Sequence, residues 1–187
     1  MSKLLPVSLA LRAVQFLCGI VILALAVTLI TGHKIGSAPV TTKYSAFTGG
    51  FGLFTALVGV GSLYVEFIPN LVALALDGLS GALYLGGGIA WAIALRSTNG
   101  CKDLEEMVNN GAINFGKKKT GGGTLYGVEI GAKNEKEAID KLKDNCTKGL
   151  ADESLQFISV AVAIGLVFIG WVVLKRGGTL GKKGSYV

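Results

Sequence analysis

The sequence predicts an all-α membrane protein, a four-transmembrane-helix bundle with a small extracellular loop subdomain inserted between the third and fourth helices. Three observations carry this. Residues 67–95 form a 29-residue stretch with one ionisable side chain, Asp77, and a helix of that length crosses the roughly 30 Å hydrocarbon core of a bilayer with some tilt. Three further apolar windows, 9–30, 46–67 and 155–174, have similar lengths. The charge is also segregated: residues 96–154 hold ten of the 18 basic and ten of the 12 acidic side chains, as expected for membrane spans plus one water-exposed excursion. A soluble core helix as long and apolar as 67–95 would need a larger protein around it than 187 residues with 16% charged content supply. The membrane domain is therefore assigned to 1–174, with helices at about 9–31, 45–67, 69–95 and 154–174, the loop subdomain to 96–153 and a short basic cytoplasmic tail to 175–187.

Residues 1–8 form a short lead in which Pro6 suits a first helical turn. The apolar stretch after Arg12 runs for about 18 residues, longer than the 7 to 15 of a signal-peptide core, and no small-x-small cleavage site follows, so it reads as a retained first helix. Arg12 and Gln15 stand one turn apart near its inner end, where the arginine stem can snorkel. Cys18 reads as a small apolar filler, with palmitoylation near the inner rim as the alternative. The first outer loop, 31–43, contains His33, the single histidine of the chain. With no cysteine or carboxylate at ligand spacing it is expected to be an ordinary loop residue, and no metal site is predicted.

In helix two, Thr48, Gly52 and Ala56 recur at steps of four, a small-residue row for close helix packing, and Gly59 and Gly61 suggest a kink further down. The turn that follows is very short. Glu66 is expected on the inner rim and Pro69 in the first turn of helix three, which makes helices two and three antiparallel neighbours. Helix three continues the small-residue rule through Gly78, Ala82, Gly86, Ala90 and Ala94, a groove for a partner helix within the bundle or in a neighbouring subunit. Asp77 lies about 12 Å along the axis from Pro69. A carboxyl group facing lipid there costs on the order of 3 kcal/mol, so Asp77 should face the bundle and contact Arg12, or else Gln15 or a helix-two hydroxyl.

The outer segment is bounded by Cys101 and Cys146. Residues 102–109 read as a helix and 124–130 as a strand. Asn134 followed by Glu137 reads as a capping box opening a helix over 135–145. The glycine- and lysine-rich stretch 116–123 lacks the Walker order and reads as a flexible solvated turn, with headgroup or glycan contact as the alternative. Both cysteines fall on the oxidising side and are expected to form a disulfide, with two free thiols as the alternative. Asn145, Cys146 and Thr147 together form an N-glycosylation acceptor. In helix four Ala161 and Gly165 form a shorter packing pair, and Trp171 stands where an indole prefers the interface. Lys175, Arg176, Lys182 and Lys183 then attract anionic lipid at about 1 kcal/mol each when close to the surface.

Placing both termini in the cytoplasm puts a net +5 on the inner side and +2 in the first outer loop, with the long segment balanced. The overall +6 is thereby a topology signal, and no nucleic-acid partner is predicted. No paired acid and base groups or metal ligands occur in the spans, so no enzymatic activity and no catalytic residue is expected.

Several of these residues also carry a resemblance. The LRAVQFL of residues 11–17, the apolar surroundings of Asp77 in 74–83, the helix end at 92–101 with Arg96 followed by Cys101, and Cys146 before the last span resemble the fungal MARVEL-domain membrane proteins. Among these the chain resembles in particular the non-classical export protein family. It covers the spans and both cysteines, whereas the long outer segment and the short tail depart from the family. The resemblance implies a MARVEL-like four-helix organiser of sterol- and sphingolipid-rich plasma-membrane microdomains, linked to eisosomes, membrane curvature and unconventional secretion. The expected partners are membrane lipids, further copies of the chain in a homo-oligomer, and microdomain scaffold proteins. No cofactor is expected beyond bound lipid or sterol. The alternative function is a small-solute or ion channel or transporter using Asp77.

Overall fold

In hydrocarbon only a helix satisfies every backbone polar group within one segment, and the apolar runs of this chain become four long helices. The computed structural model describes residues 4–64, 70–120, 123–130 and 132–175. In chain order these form α1 (Leu4–Gly32), α2 (Val40–Tyr64), α3 (Asn70–Leu95), α4 (Leu104–Asn109), the strands β1 (Lys117–Thr120) and β2 (Gly123–Tyr126), and α5 (Glu135–Lys175). Helices α1, α2, α3 and α5 are each long and apolar enough to cross a membrane. They close into a ring in which α1 and α3 each pack between α2 and α5. The end holding the start of α1 and the end of α5 is termed basal, and the opposite end, which carries the cysteine-bridged segment, distal. Glu66, Pro69, Arg176, Lys182 and Lys183, singled out in the sequence, lie outside the described residues.

Three expectations about the secondary-structure elements need correction. The helix expected over 135–145 and the span expected over 154–174 are one helix of 41 residues. Leu142, Cys146, Gly149, Asp152, Gln156 and Ser159 are buried at steps of three and four, so one face stays packed across the expected boundary. The lysine-rich stretch is not an irregular turn, because Lys117–Thr120 pairs antiparallel with Gly123–Tyr126, Lys118 opposite Leu125. The strand expected over 124–130 stops at Tyr126 and becomes a 3-10 turn over Gly127–Glu129, where Gly127 packs against the Phe115 carbonyl too closely for a Cβ.

Helix packing follows the small residues, though not all of those expected. The α1–α2 crossing is made by Gly19 and Gly49: a Cβ on Gly49 would lie 2.8 Å from the Leu23 backbone nitrogen and 3.1 Å from the Gly19 carbonyl. Thr48, Gly52 and Ala56 face the bundle interior instead, with Gly52 against the hydroxyl end of Tyr84. Helix α2 runs without a break through Gly59 and Gly61. On α3 the buried face is Ala73, Asp77, Ser80, Tyr84, Trp91 and Leu95. The expected groove row winds away from it. Gly86 packs on the Tyr44 hydroxyl, Ala90 and Ala94 are half-buried, and Gly78 and Ala82 are exposed. Each step of four residues advances about 40° around a helix, so five such positions sweep most of a half-turn and cannot share one face.

A polar interior as candidate functional site

The bundle interior contains two tiers of buried polar side chains. In the basal tier the Arg12 guanidinium forks onto the Asp77 carboxylate, with Nη1 donating to Oδ1 and Nη2 to Oδ2, while Nη1 also donates to Gln15 Oε1 at 3.0 Å. Gln15 Nε2 donates to Thr55 Oγ1 at 3.2 Å and Ser80 Oγ at 3.4 Å. Arg12 is 6% exposed and Asp77 2%, so the planar two-donor match has to offset the desolvation of both charges. Gly59 makes this possible, because any Cβ there would occupy the space of the guanidinium. The sequence-predicted residues Arg12, Gln15 and Asp77 are thus brought together by α1 and α3, with α2 supplying the recess and a hydroxyl.

The distal tier centres on Asp152. Its Oδ2 accepts from Ser45 Oγ and, at 2.9 Å, from Trp91 Nε1, and its Oδ1 accepts from Gln156 Nε2 at 3.4 Å. Gln156 Nε2 also donates to Ser45 Oγ at 3.0 Å, and Thr48 Oγ1 donates to Gln156 Oε1 at 3.4 Å. Asp152, Trp91, Gln156 and Ser45 are all fully buried. Between the tiers Tyr84 spans the interior, and its hydroxyl has no hydrogen-bond partner among the described residues.

Sequence reasoning missed the distal tier because Asp152 falls in the charge-rich segment and reads as solvated. The signal was present in its spacing. Asp152, Gln156 and Ser159 lie at i, i+4 and i+7, which is the polar stripe of an interior helix face.

Above the distal tier the excursion is anchored rather than loose. Cys101 and Cys146 are disulfide-bonded, with Cα atoms 5.9 Å apart, and tie the segment after α3 to α5. Asn99, Gly100 and Cys101 all have positive φ, a tight reversal that aims Cys101 back at α5. Leu29, Trp91, Leu95, Met107, Ile113, Val128, Leu142 and Cys146 form one apolar cluster that continues the bundle into this segment. Asn110 Nδ2 donates to the Ala94 carbonyl at 2.6 Å and Asn114 Nδ2 to the Val108 carbonyl at 2.7 Å, filling backbone acceptors that no regular element satisfies.

The glycosylation expectation at Asn145 meets a structural obstacle. Asn145 is 3% exposed and its Nδ2, the atom a glycan would bond, donates to the Ile113 carbonyl at 2.8 Å. Cys18 is buried among the helices, which suits the filler reading. Trp171 is half-exposed with Lys175 Nζ 5.0 Å from its ring centroid, a cation–π pair at the basal end. His33 is half-buried edge-on to Phe115, and burial is the main cause holding its imidazole below the ordinary value.

The chain matches the family model for MARVEL, described as a membrane-associating domain, over residues 3–169. No curated protein and no solved structure matches it. The matched span takes in α1, α2, α3, the disulfide and both polar tiers, and it ends within α5. On this match, together with four helices fit to span a bilayer, the protein is a multi-pass membrane protein that belongs to the MARVEL membrane-associating family.

Proposed function

We propose that this protein is a structural organiser of membrane microdomains that self-associates laterally and acts through binding and shape, not catalysis. The observation that carries the reading is the outward face of α3. Gly78 and Ala82 are exposed there, and a Cβ built on Gly78 would meet nothing within 4 Å. In lipid, small residues on an exposed face let a second backbone approach closely, the main source of helix association where no hydrophobic drive exists. Lipid contact is supported by an apolar groove of about 290 Å³ between α1 and α2, lined by residues including Leu9, Phe16, Ala56 and Leu57, which suits an acyl chain or a sterol.

The finer assignments rest on the resemblance and on charge placement. They comprise a plasma-membrane location with both termini cytoplasmic, microdomain scaffold proteins of the eisosome kind as partners, kinship with the non-classical export proteins, and a role in curvature or unconventional secretion. The test of the organiser reading is Gly78→Leu in full-length protein in lipid nanodiscs. A smaller crosslinked oligomer fraction is expected, and an unchanged distribution counts against this face. Because no side chain of the same protomer adjoins Gly78, the variant keeps its fold.

One observation favours a second reading, passage of a small ion or proton: a second buried carboxylate, Asp152, stands in the interior that also holds Asp77. Against it, both carboxylates are fully hydrogen-bonded, and the cavity beside Arg12 and Asp77 measures about 30 Å³, room for about one water. Proton flux into pH-dye-loaded proteoliposomes separates the two, and flux abolished by Asp152→Asn would replace the organiser reading.

A further inference from the structure

The distal segment carries two exposed features of opposite charge. The first is a concave groove of about 430 Å³ between α4, the 3-10 turn and the start of α5. Val108, Ile139 and Leu142 contribute to its apolar floor, and Glu105, Glu129 and Glu135 stand along it with no lysine or arginine among the lining residues. The second is β1, whose Lys117, Lys118 and Lys119 are all exposed. None of these three lysines has an ion-pair partner among the described residues, and neither have Glu105 and Glu135.

We propose that the groove receives the Lys117–Lys119 strand of a second copy of this chain. Charge complementarity is the first reason: Lys117 and Lys119 share one face of the strand, and that face can meet the carboxylates of Glu105, Glu129 and Glu135. Height above the membrane is the second. Copies inserted in one bilayer share orientation and depth, so only surfaces at the same height can meet. Lys117 pairs across the ribbon with Tyr126, and Tyr126 itself lines the groove. The Lys117 end of the strand and the groove therefore stand at one level. The lysine stems add apolar contact to the floor while their ammonium groups reach the rim.

Because strand and groove adjoin, two copies that exchange strands reciprocally close a two-fold dimer, whereas copies that each engage a different neighbour extend a row or close a ring. This deepens the self-association reading and rests on it.

The test uses full-length protein in phosphatidylcholine proteoliposomes and a carbodiimide, which joins amines directly to carboxylates. With mixed isotope-labelled and unlabelled protein, linked peptides between Lys117–Lys119 and Glu105 or Glu135 of different copies are expected. Their yield should fall several-fold from about 0.1 M to about 1 M salt, as the screening length shortens from about 10 Å to about 3 Å. The triple variant Lys117→Glu, Lys118→Glu, Lys119→Glu and the double variant Glu105→Lys, Glu135→Lys should each lose the link by about tenfold or more when alone. Mixed together, they should regain it. Resistance of the buried free thiol of Cys18 to alkylation in native protein, lost on denaturation, reports that each variant is folded. Oligomers that survive both charge reversals yet respond to Gly78→Leu would overturn the groove contact and leave lateral association standing. A wild-type protein that is monomeric in the bilayer would overturn both.

Discussion

Trp91 donates its indole N–H to Asp152 at 2.9 Å, joining α3 to α5 at the level where the bundle meets the cysteine-bridged segment. Both side chains are fully buried, so the bond forms away from competing water and its loss leaves a charged acceptor underused. Trp91→Phe keeps most of the buried ring and removes the donor, and is expected to cost about 1.5 to 3 kcal/mol. Asp152→Ala should cost more, since Ser45, Trp91 and Gln156 all lose an acceptor. Thermal unfolding in mild detergent checks the order, and equal midpoints for Trp91→Phe and wild type would remove this bond from the account.

The basal pair predicts a non-additive series. Arg12→Leu or Asp77→Leu alone strands a buried charge and is expected to cost about 3 to 5 kcal/mol. The double variant should cost clearly less than the sum of the two singles, because no unpaired charge remains. Arg12→Lys should fall in between, having lost the forked geometry that Nη1 and Nη2 make with the two carboxylate oxygens. Strict additivity, measured by unfolding in detergent, would show that the two side chains do not act as a pair.

Removing the Cys101–Cys146 bridge, which closes 45 residues, is expected to cost about 3 to 4 kcal/mol in the chain-entropy account. The loss should fall mainly on the distal segment, while the basal tier, far along the helices, holds. Hydrogen exchange on a Cys101→Ala, Cys146→Ala variant checks this. Faster exchange confined to 99–145 is the expected pattern, and two reactive thiols in untreated native protein would rule the bridge out.

His33 makes the packing of the first distal loop pH-sensitive. Burial, with Lys43 adding like charge, holds the folded imidazole below the ordinary value of 6.5, and its Nδ1 is buried without a hydrogen-bond partner among the described residues. A base whose folded pKa is lowered contributes stability that is complete above the unfolded value and is lost as pH falls below it, because the opened loop takes up a proton that the closed one resists. The Lys34 and Ile35 amides, bonded to the Phe115 carbonyl at 3.1 and 3.2 Å, report on this loop. Their protection should fall as pH drops from about 7 to about 5.5, and His33→Asn should flatten the dependence. The same slope in that variant would assign the sensitivity elsewhere.

The four spans were legible because each is an apolar run of bilayer length with at most one charged side chain, and the membrane solvent leaves a chain few other options. The meeting of Arg12 and Asp77 was legible for a related reason: two ionisable groups at one depth in hydrocarbon must find each other or something polar. Asp152 was not legible because hydropathy windows treat a charge at the end of a span as part of the flanking water-exposed segment. The unbroken α5 carries it on the same inward face as Gln156 and Ser159, a stripe that their spacing already marked. The outward turn of Gly78 was hidden by reading steps of four as one face, when the helix repeat of 3.6 carries such a row around the cylinder. Gly59 read as a possible kink, although its lack of a side chain is what seats a guanidinium contributed by another helix.

At about 1.5 Å per residue the 41 residues of α5 extend about 60 Å, twice the thickness of the oily layer that holds them. One unbroken helix therefore carries the groove at one extremity and Lys175 at the other, with a covalent weld to the segment that follows α3 partway along. A push on the distal end of such a rod meets no break in the helix at which to dissipate, so it is passed on as a lean of the whole length toward the basal tip.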